Sequence, residues 1–527
     1  MTETQKLAIA TSWYRDKVFW TIIGISAIIL SPMLIEPLSF DSAINQTLGI
    51  DMLSLGRVPY LQIFDHGFPG SLYLSCIELL IFGPSDLGLR IFDLILQLAF
   101  AGFLYRFLLT WLPSRTAALS SILYVLFYVS AGSGVYEQRD VYVAMSLFVA
   151  ASLIFRGNSF WRISEAGLLL GFSILLRPTS LLFLALYVLF LLVNTNLRPI
   201  SKNILRSFVL TVFGLLPMAI FFLYITQFSH GIESFYSAAI RFNIDIYAHL
   251  KTTSQPLWEF LRSGFVIAFA VVAVFSSRAQ IIRCALSHKE KLLYVACILS
   301  SLLIVIIQGK YFRNHISPFF ILLVPLAAVG ITSLTDRVNG EVRRHYAILG
   351  CLVICSLIRF KPTSSLAFGL ALLTHHDPFQ AAYQVQYDDT LFGAKQEFAI
   401  QNYFQKKGNR SGLIEICSLD PLLRLHLHRT YATGYASLHT LAATVRYDSN
   451  NTPTYMDYQI SGQYDYVDSL RLAQPRFIII ARQMKFWEVK DFNAFLHYLP
   501  GFDSLLAASY KRDTTFGGYE VYRQKGL

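Results

Sequence analysis

The chain has 527 residues, of which 54% are hydrophobic, 15% aromatic and 15% charged, and its mean hydropathy is +0.48. This is too apolar for a soluble globular protein of that length and points to a polytopic membrane protein. The formal charge of +11 is scattered over short segments between apolar runs, with no basic stripe interleaved with aromatics, so it reads as an orientation signal and nucleic acid is not an expected partner.

Residues 1–17 are polar, with Lys6, Arg15 and Lys17, and Val18 to Ile35 is then long enough, at roughly 20 residues per span, to cross a bilayer. No small-residue cleavage pattern follows, so an uncleaved first helix with a cytoplasmic N-terminus is expected. Residues 37–86 form a polar first external loop. Within it Ile44, Leu48, Met52 and Leu55 recur at helical spacing, and Gly70 to Phe82 offers only about 13 residues, which suits helices lying in the membrane interface.

Apolar runs at 87–111, 117–135, 141–155, 167–176, 180–193, 208–226, 265–275, 292–307, 316–331 and 346–358 bring the expected total to about eleven crossings. Pro178, in Leu176-Arg177-Pro178-Thr179, lacks a backbone donor and must interrupt its helix, leaving a broken helix or a short re-entrant pair. Alternating sides from a cytoplasmic N-terminus gathers most of the Lys and Arg inside. It places the first loop, Glu137–Asp140, the long segment with Arg241, Asp245, His249 and Lys251, Lys310–His315 and everything after Arg359 outside.

After Lys361, turn signals, interspersed charge and short β-prone runs such as Gly412–Cys417, Arg476–Ala481 and Tyr519–Tyr522 read as a soluble α/β domain. The expected organisation is therefore a transmembrane domain at 1–360 and an external domain at 361–527. The six cysteines show neither CxxC nor paired Cys/His spacing, so no disulfide framework or metal site is readable.

A charged side chain at membrane depth costs roughly 2.5–3.5 kcal/mol, so ionisable residues near span ends call for an explanation. Asp41 suits the N-cap of the helix carrying Ile44, Leu48 and Met52, or a carboxylate that orients or deprotonates an acceptor hydroxyl; both can hold. Glu137-Gln138-Arg139-Asp140 reads as a solvated loop with local ion pairs, or as carboxylates converging on one site with Asp41. Lys310-Tyr311-Phe312-Arg313-Asn314-His315 reads as snorkelling cations in an aromatic belt, or as a clamp for a lipid phosphate. Asp65-His66 is either a turn before a helix opened by Pro69 or a carboxylate and imidazole added to the site, and Arg177 either reaches the interface or binds an anion.

The order of these pieces resembles the GT-C glycosyltransferases, within them the bacterial protein O-mannosyltransferase and aminoarabinose transferase group. The pieces are Phe40-Asp41-Ser42, GRVPY at 56–60, FDHGFPG at 64–70, Glu137 to Asp140, Leu176 to Thr179 and Lys310 to His315. The resemblance covers the chain from the first helix to about residue 331, and only loosely the C-terminal domain. It implies a mostly α, polytopic GT-C-like bundle in a bacterial inner membrane. It further implies transfer, with inversion, of a sugar from a polyprenyl-phosphate donor to an extracytoplasmic lipid, glycan or protein acceptor.

By the resemblance Asp41 is the general base, and Asp140, or else Glu137, is the second acid. Lys310 and Arg313 hold the lipid phosphate with help from His315. The family's EKPP-like element stands here as Asp65-His66-Gly67-Phe68-Pro69, so Arg57 takes over its phosphate contact, with Asp65, His66, Arg139 and Arg177 lining the site. The family often has an acidic pair after helix one, whereas Asp41 is followed by Ser42, so a divalent cation is not supported. Membrane lipids are the remaining expected partners.

Two other classes stay open. A lipid-linked glycan flippase or small-molecule transporter is disfavoured by the lack of a half-to-half repeat and by ionisable residues placed at one face. An O-antigen polymerase or ligase type of glycan transferase would lean on a late external loop such as Phe228–Pro256 rather than on Asp41.

Overall fold

The computed structural model describes residues 16–36, 38–132, 134–156, 159–193, 200–249, 287–309, 312–338, 340–341, 343, 346–348, 350, 394–406, 412–444, 446–448, 453–482 and 492–526. The chain divides into two compact units. One is Met1–Ile35, Leu87–Phe221 and Thr252–Ser365; the other is Glu36–Asp86, Phe222–Lys251 and Leu366–Leu527. This cut differs from the two sequence ranges, because the first loop and the segment at 222–251 fold with the C-terminal region.

The first unit is helical. Among the described residues five helices are long and apolar enough to cross a membrane: Lys17–Leu34, Asp86–Leu108, Ile200–Ile225, His288–Gln308 and Asn314–Thr335. The last is almost wholly buried although it contains Pro318 and Pro325, which marks it as the centre of the bundle. The shorter helices Ser114–Ala131, Arg139–Arg156, Phe160–Leu176 and Leu181–Val193 coincide with the remaining apolar runs. The expected span at 265–275 and most of that at 346–358 lie outside the described residues.

The break at Pro178 is present. Arg177 is extended (φ −153°, ψ 112°) and a 3-10 turn, Pro178–Ser180, leads into the next helix. A Cβ on Gly171 would sit 2.5 Å from the Gly214 carbonyl oxygen, so glycine there lets the Phe160–Leu176 and Ile200–Ile225 helices touch backbone to backbone.

In the second unit, Ser39 rather than Asp41 caps the Phe40–Leu55 helix: its Oγ accepts from the Ser42 amide at 3.2 Å. Gly56, at φ 63°, ends that helix in the left-handed conformation that glycine adopts without a Cβ penalty. Pro69 opens the Pro69–Phe82 helix, where its missing amide costs nothing. The β-prone runs are strands of a four-stranded sheet in the order Ile414–Cys417, Phe477–Ala481, Tyr519–Gln524, Tyr510–Phe516. The first pair is parallel and the others are antiparallel. Strand Phe477–Ala481 is buried along its whole length, as its run of apolar residues requires.

The first loop packs on this region as core to core. Ile44, Leu48, Ile63 and Leu72 form one buried cluster with Ala436. Phe64 stacks on Tyr435 at 4.2 Å between centroids. A Cβ on Gly434 would lie 1.6 Å from the Gln62 carbonyl oxygen, so no other residue fits that crossing.

Candidate active site

Within the first unit, the acidic loop before the Arg139–Arg156 helix is neither solvated nor paired locally. Glu137 Oε1 accepts from Arg90 Nη1 at 2.8 Å, with both side chains buried. Asp140 is fully buried in the first turn of its helix and is ion-paired with Arg177. Arg177, at the Pro178 break, also donates to Gln308 Oε1. It is therefore held by two protein acceptors. Arg139 is half-buried beside Asp140.

The acidic loop and the start of the Arg313–Thr335 helix meet: Asn314 Nδ2 donates to Gln138 Oε1 at 3.2 Å. His315 is buried one residue on, its ring edge-on to Phe312 at 5.4 Å. Two of the three sequence patches thus come together in one body. Lys310 and Tyr311 lie outside the described residues, as does the side chain of Arg313.

Within the second unit, Asp41 is half-buried in the first turn of its helix, where the unpaired amides of a helix start favour a carboxylate. Asp65 and His66 do sit before a proline-opened helix. His66 Nδ1 lies 3.4 Å from Asp65 Oδ1 and 3.2 Å from Nε2 of His439, a residue that sequence reasoning missed. Rings of Phe242 and Tyr247 flank His66 at 5.3 Å, and Asn243 donates to its carbonyl oxygen at 2.7 Å. Burial and then the neighbouring His66 push His439 down to about 3, against the pull of Asp65, so it is a neutral imidazole at ordinary pH.

Arg57 has another task than the one expected of it. Nη1 donates to Asp51 Oδ2 and the Thr433 carbonyl, each at 2.7 Å, and Nη2 to the Tyr431 carbonyl at 2.7 Å. With its terminal nitrogens so occupied, it fastens the first loop to the C-terminal region. Arg424, fully buried, lies 3.4 Å from both Asp51 and Glu415 and completes the same knot. Among the described residues no group of three or more His, Cys, Asp or Glu side chains could hold a metal ion.

Two crystal structures of ArnT from Cupriavidus metallidurans, one bound to undecaprenyl phosphate and one in the apo state, match this architecture with TM-scores of 0.56. They are 12% and 14% identical, and the match covers 97% of this chain and 98% of theirs. The chain shares the fold of ArnT. With that fold and its apolar helices this is an integral membrane protein. AglB from Archaeoglobus fulgidus matches at a TM-score of 0.48 with 11% identity, over 98% of this chain and 75% of AglB, too slight a likeness to argue from. No known family model and no curated protein matches the sequence.

Proposed function

We propose that the chain is a membrane glycosyltransferase that moves a sugar from a polyprenyl-phosphate donor to an extracytoplasmic lipid, glycan or protein acceptor, with inversion. The observation that carries this reading is the ArnT likeness, which extends over nearly the full length of both chains. An acidic loop built around buried ion pairs, and not left as a solvated turn, adds to it.

In this reading the Asp41 carboxylate takes the proton of an acceptor hydroxyl as its oxygen bonds to the anomeric carbon, and the polyprenyl phosphate departs from the opposite face. Lys310, Arg313 and His315 balance the negative charge that grows on the leaving phosphate. Asp140, fixed by Arg177, orients acceptor or donor, and Glu137, fixed by Arg90, shapes that loop. Asp65 and His66 line the acceptor side. The N-terminus is cytoplasmic and residues 361–527 are external.

The test is transfer of a labelled sugar from a polyprenyl-phosphate donor in membranes carrying the wild type or Asp41→Asn. A positioned general base contributes about 100-fold or more, so the variant is expected to lose at least that factor while remaining folded and inserted. Full transfer by the variant excludes the assignment. Movement of intact donor lipid across the membrane without a new glycosidic bond would support a flippase instead.

A further inference from the structure

We propose that Asp93 and Tyr128 are positioning residues for sugar transfer that fix the backbone of the acidic loop at Glu137; the inference rests on the glycosyltransferase reading. Asp93 is completely buried in the Asp86–Leu108 helix, about 10 Å beyond its start at 1.5 Å per residue. An ionisable group inside a membrane-length helix is costly and is kept where it does something. Three donors converge on it. Gln97 Nε2 and the Tyr142 hydroxyl reach Oδ1 at 2.8 and 3.2 Å, and the Tyr128 hydroxyl donates to Oδ2.

Tyr128 is the link to the loop. Its proton is committed to Asp93, so its oxygen is left as an acceptor, and it receives the Glu137 backbone amide at 3.1 Å. That amide belongs to a residue at φ 61°, a left-handed conformation that glutamate adopts only when its surroundings impose it. Arg90, one turn before Asp93 on the same helix, holds the Glu137 side chain. One helix face therefore grips Glu137 at both ends: Arg90 takes the carboxylate, and Asp93 acts through Tyr128 on the amide.

The consequence reaches Gln138 and Asp140, which follow in the chain after Glu137. Its backbone conformation sets where Gln138 meets Asn314 and where the next helix begins, with Asp140 in its first turn against Arg177. Without the Tyr128 hydroxyl, the left-handed turn loses its acceptor and relaxes toward a common conformation. Asp140 then turns with it. The donor lipid still binds, but the second acid is misplaced in the transition state, which lowers kcat and leaves KM in place.

The experiment uses the full chain in lipid nanodiscs and reads amide exchange over residues 134–139 together with kcat and donor KM. Tyr128→Phe is expected to speed exchange in that loop and to lower kcat about 10- to 100-fold, with KM changed less than about threefold. Tyr142→Phe removes a hydroxyl from the same carboxylate without touching the Glu137 amide, and is expected to keep loop exchange and kcat within about threefold of wild type. If Tyr128→Phe does not fold, Asp93→Asn carries the test, with the same faster exchange expected because the amide has one accepting oxygen where the carboxylate has two, so Gln97 and Tyr128 no longer each find an oxygen of their own. Wild-type loop exchange and kcat in the folded variant, or equal losses in Tyr128→Phe and Tyr142→Phe, overturn this inference alone. A wild type that transfers no sugar overturns the parent reading and this inference with it.

Discussion

Two histidines of the second unit titrate in opposite directions, and each leaves its own mark on stability. Burial and His66 hold His439 at about 3, below the ordinary value of 6.5. The unfolded chain then binds more protons between those values, so stability is full above about pH 6.5 and is lost as pH falls toward 3. Burial opposes charge on His426 too, but Asp86 at 3.0 Å and Glu397 outweigh it and raise the group to about 10. Its contribution is full below about pH 6.5 and is lost as pH rises through 10. Unfolding of the solubilised protein followed from pH 3 to 10 should show both limbs: His439→Gln flattens the acid limb and His426→Gln the alkaline one. Profiles unchanged by the substitutions contradict these environments. At this scale the sequence exposes Asp41, Glu137 and Asp140, because a carboxylate beside an apolar run is conspicuous. Arg90 and Asp93 carry the same signal, but it is masked by the apolar run at 87–111 in which they sit. His439 carried none, since its partner His66 is 373 positions away.

Elements are held by contacts of two kinds, and only one kind is visible in a sequence. The Phe40–Leu55 helix follows from the spacing of Ile44, Leu48, Met52 and Leu55, and the strands from their β-prone runs. The attachment of the first loop to the C-terminal region does not follow from either, because Arg57 reads main-chain oxygens of Tyr431 and Thr433, and any residue offers those. Arg424 is the side-chain half of that knot. Replacing it with Met removes the buried cation that lies 3.4 Å from both Asp51 and Glu415, and burial already pushes Glu415 above the usual carboxylate range. Arg424→Met is therefore expected to destabilise the protein by about 3–5 kcal/mol in denaturant unfolding. A loss below about 1 kcal/mol would mean that the knot is not what holds the loop.

For the whole molecule, counting Lys and Arg along the chain assigns one side to the loop at 37–86, the segment around Arg241–Lys251 and everything after Arg359. Segments 36–86, 222–251 and 366–527 are the ones that fold together as the second unit. Three segments that share a compact body must share a side of the membrane, and which side that is can be measured. A cysteine at the exposed position Asp503 should react with a membrane-impermeant maleimide in intact cells lacking an outer barrier. Labelling only after permeabilisation would invert the topology. The fold shared with ArnT was legible in the order of motifs along the chain and not in any one of them. Which sugar is moved and which acceptor receives it were not legible, because they depend on pocket shape built from many ordinary side chains. Sugar transfer is tested most directly by mass analysis of envelope lipids, glycans and glycoproteins from cells with the wild-type gene, without it, and with Asp41→Asn. The expected result is a product heavier by one sugar residue in the wild type and absent from the other two; identical masses in all three, or the heavier product persisting with Asp41→Asn, would contradict it.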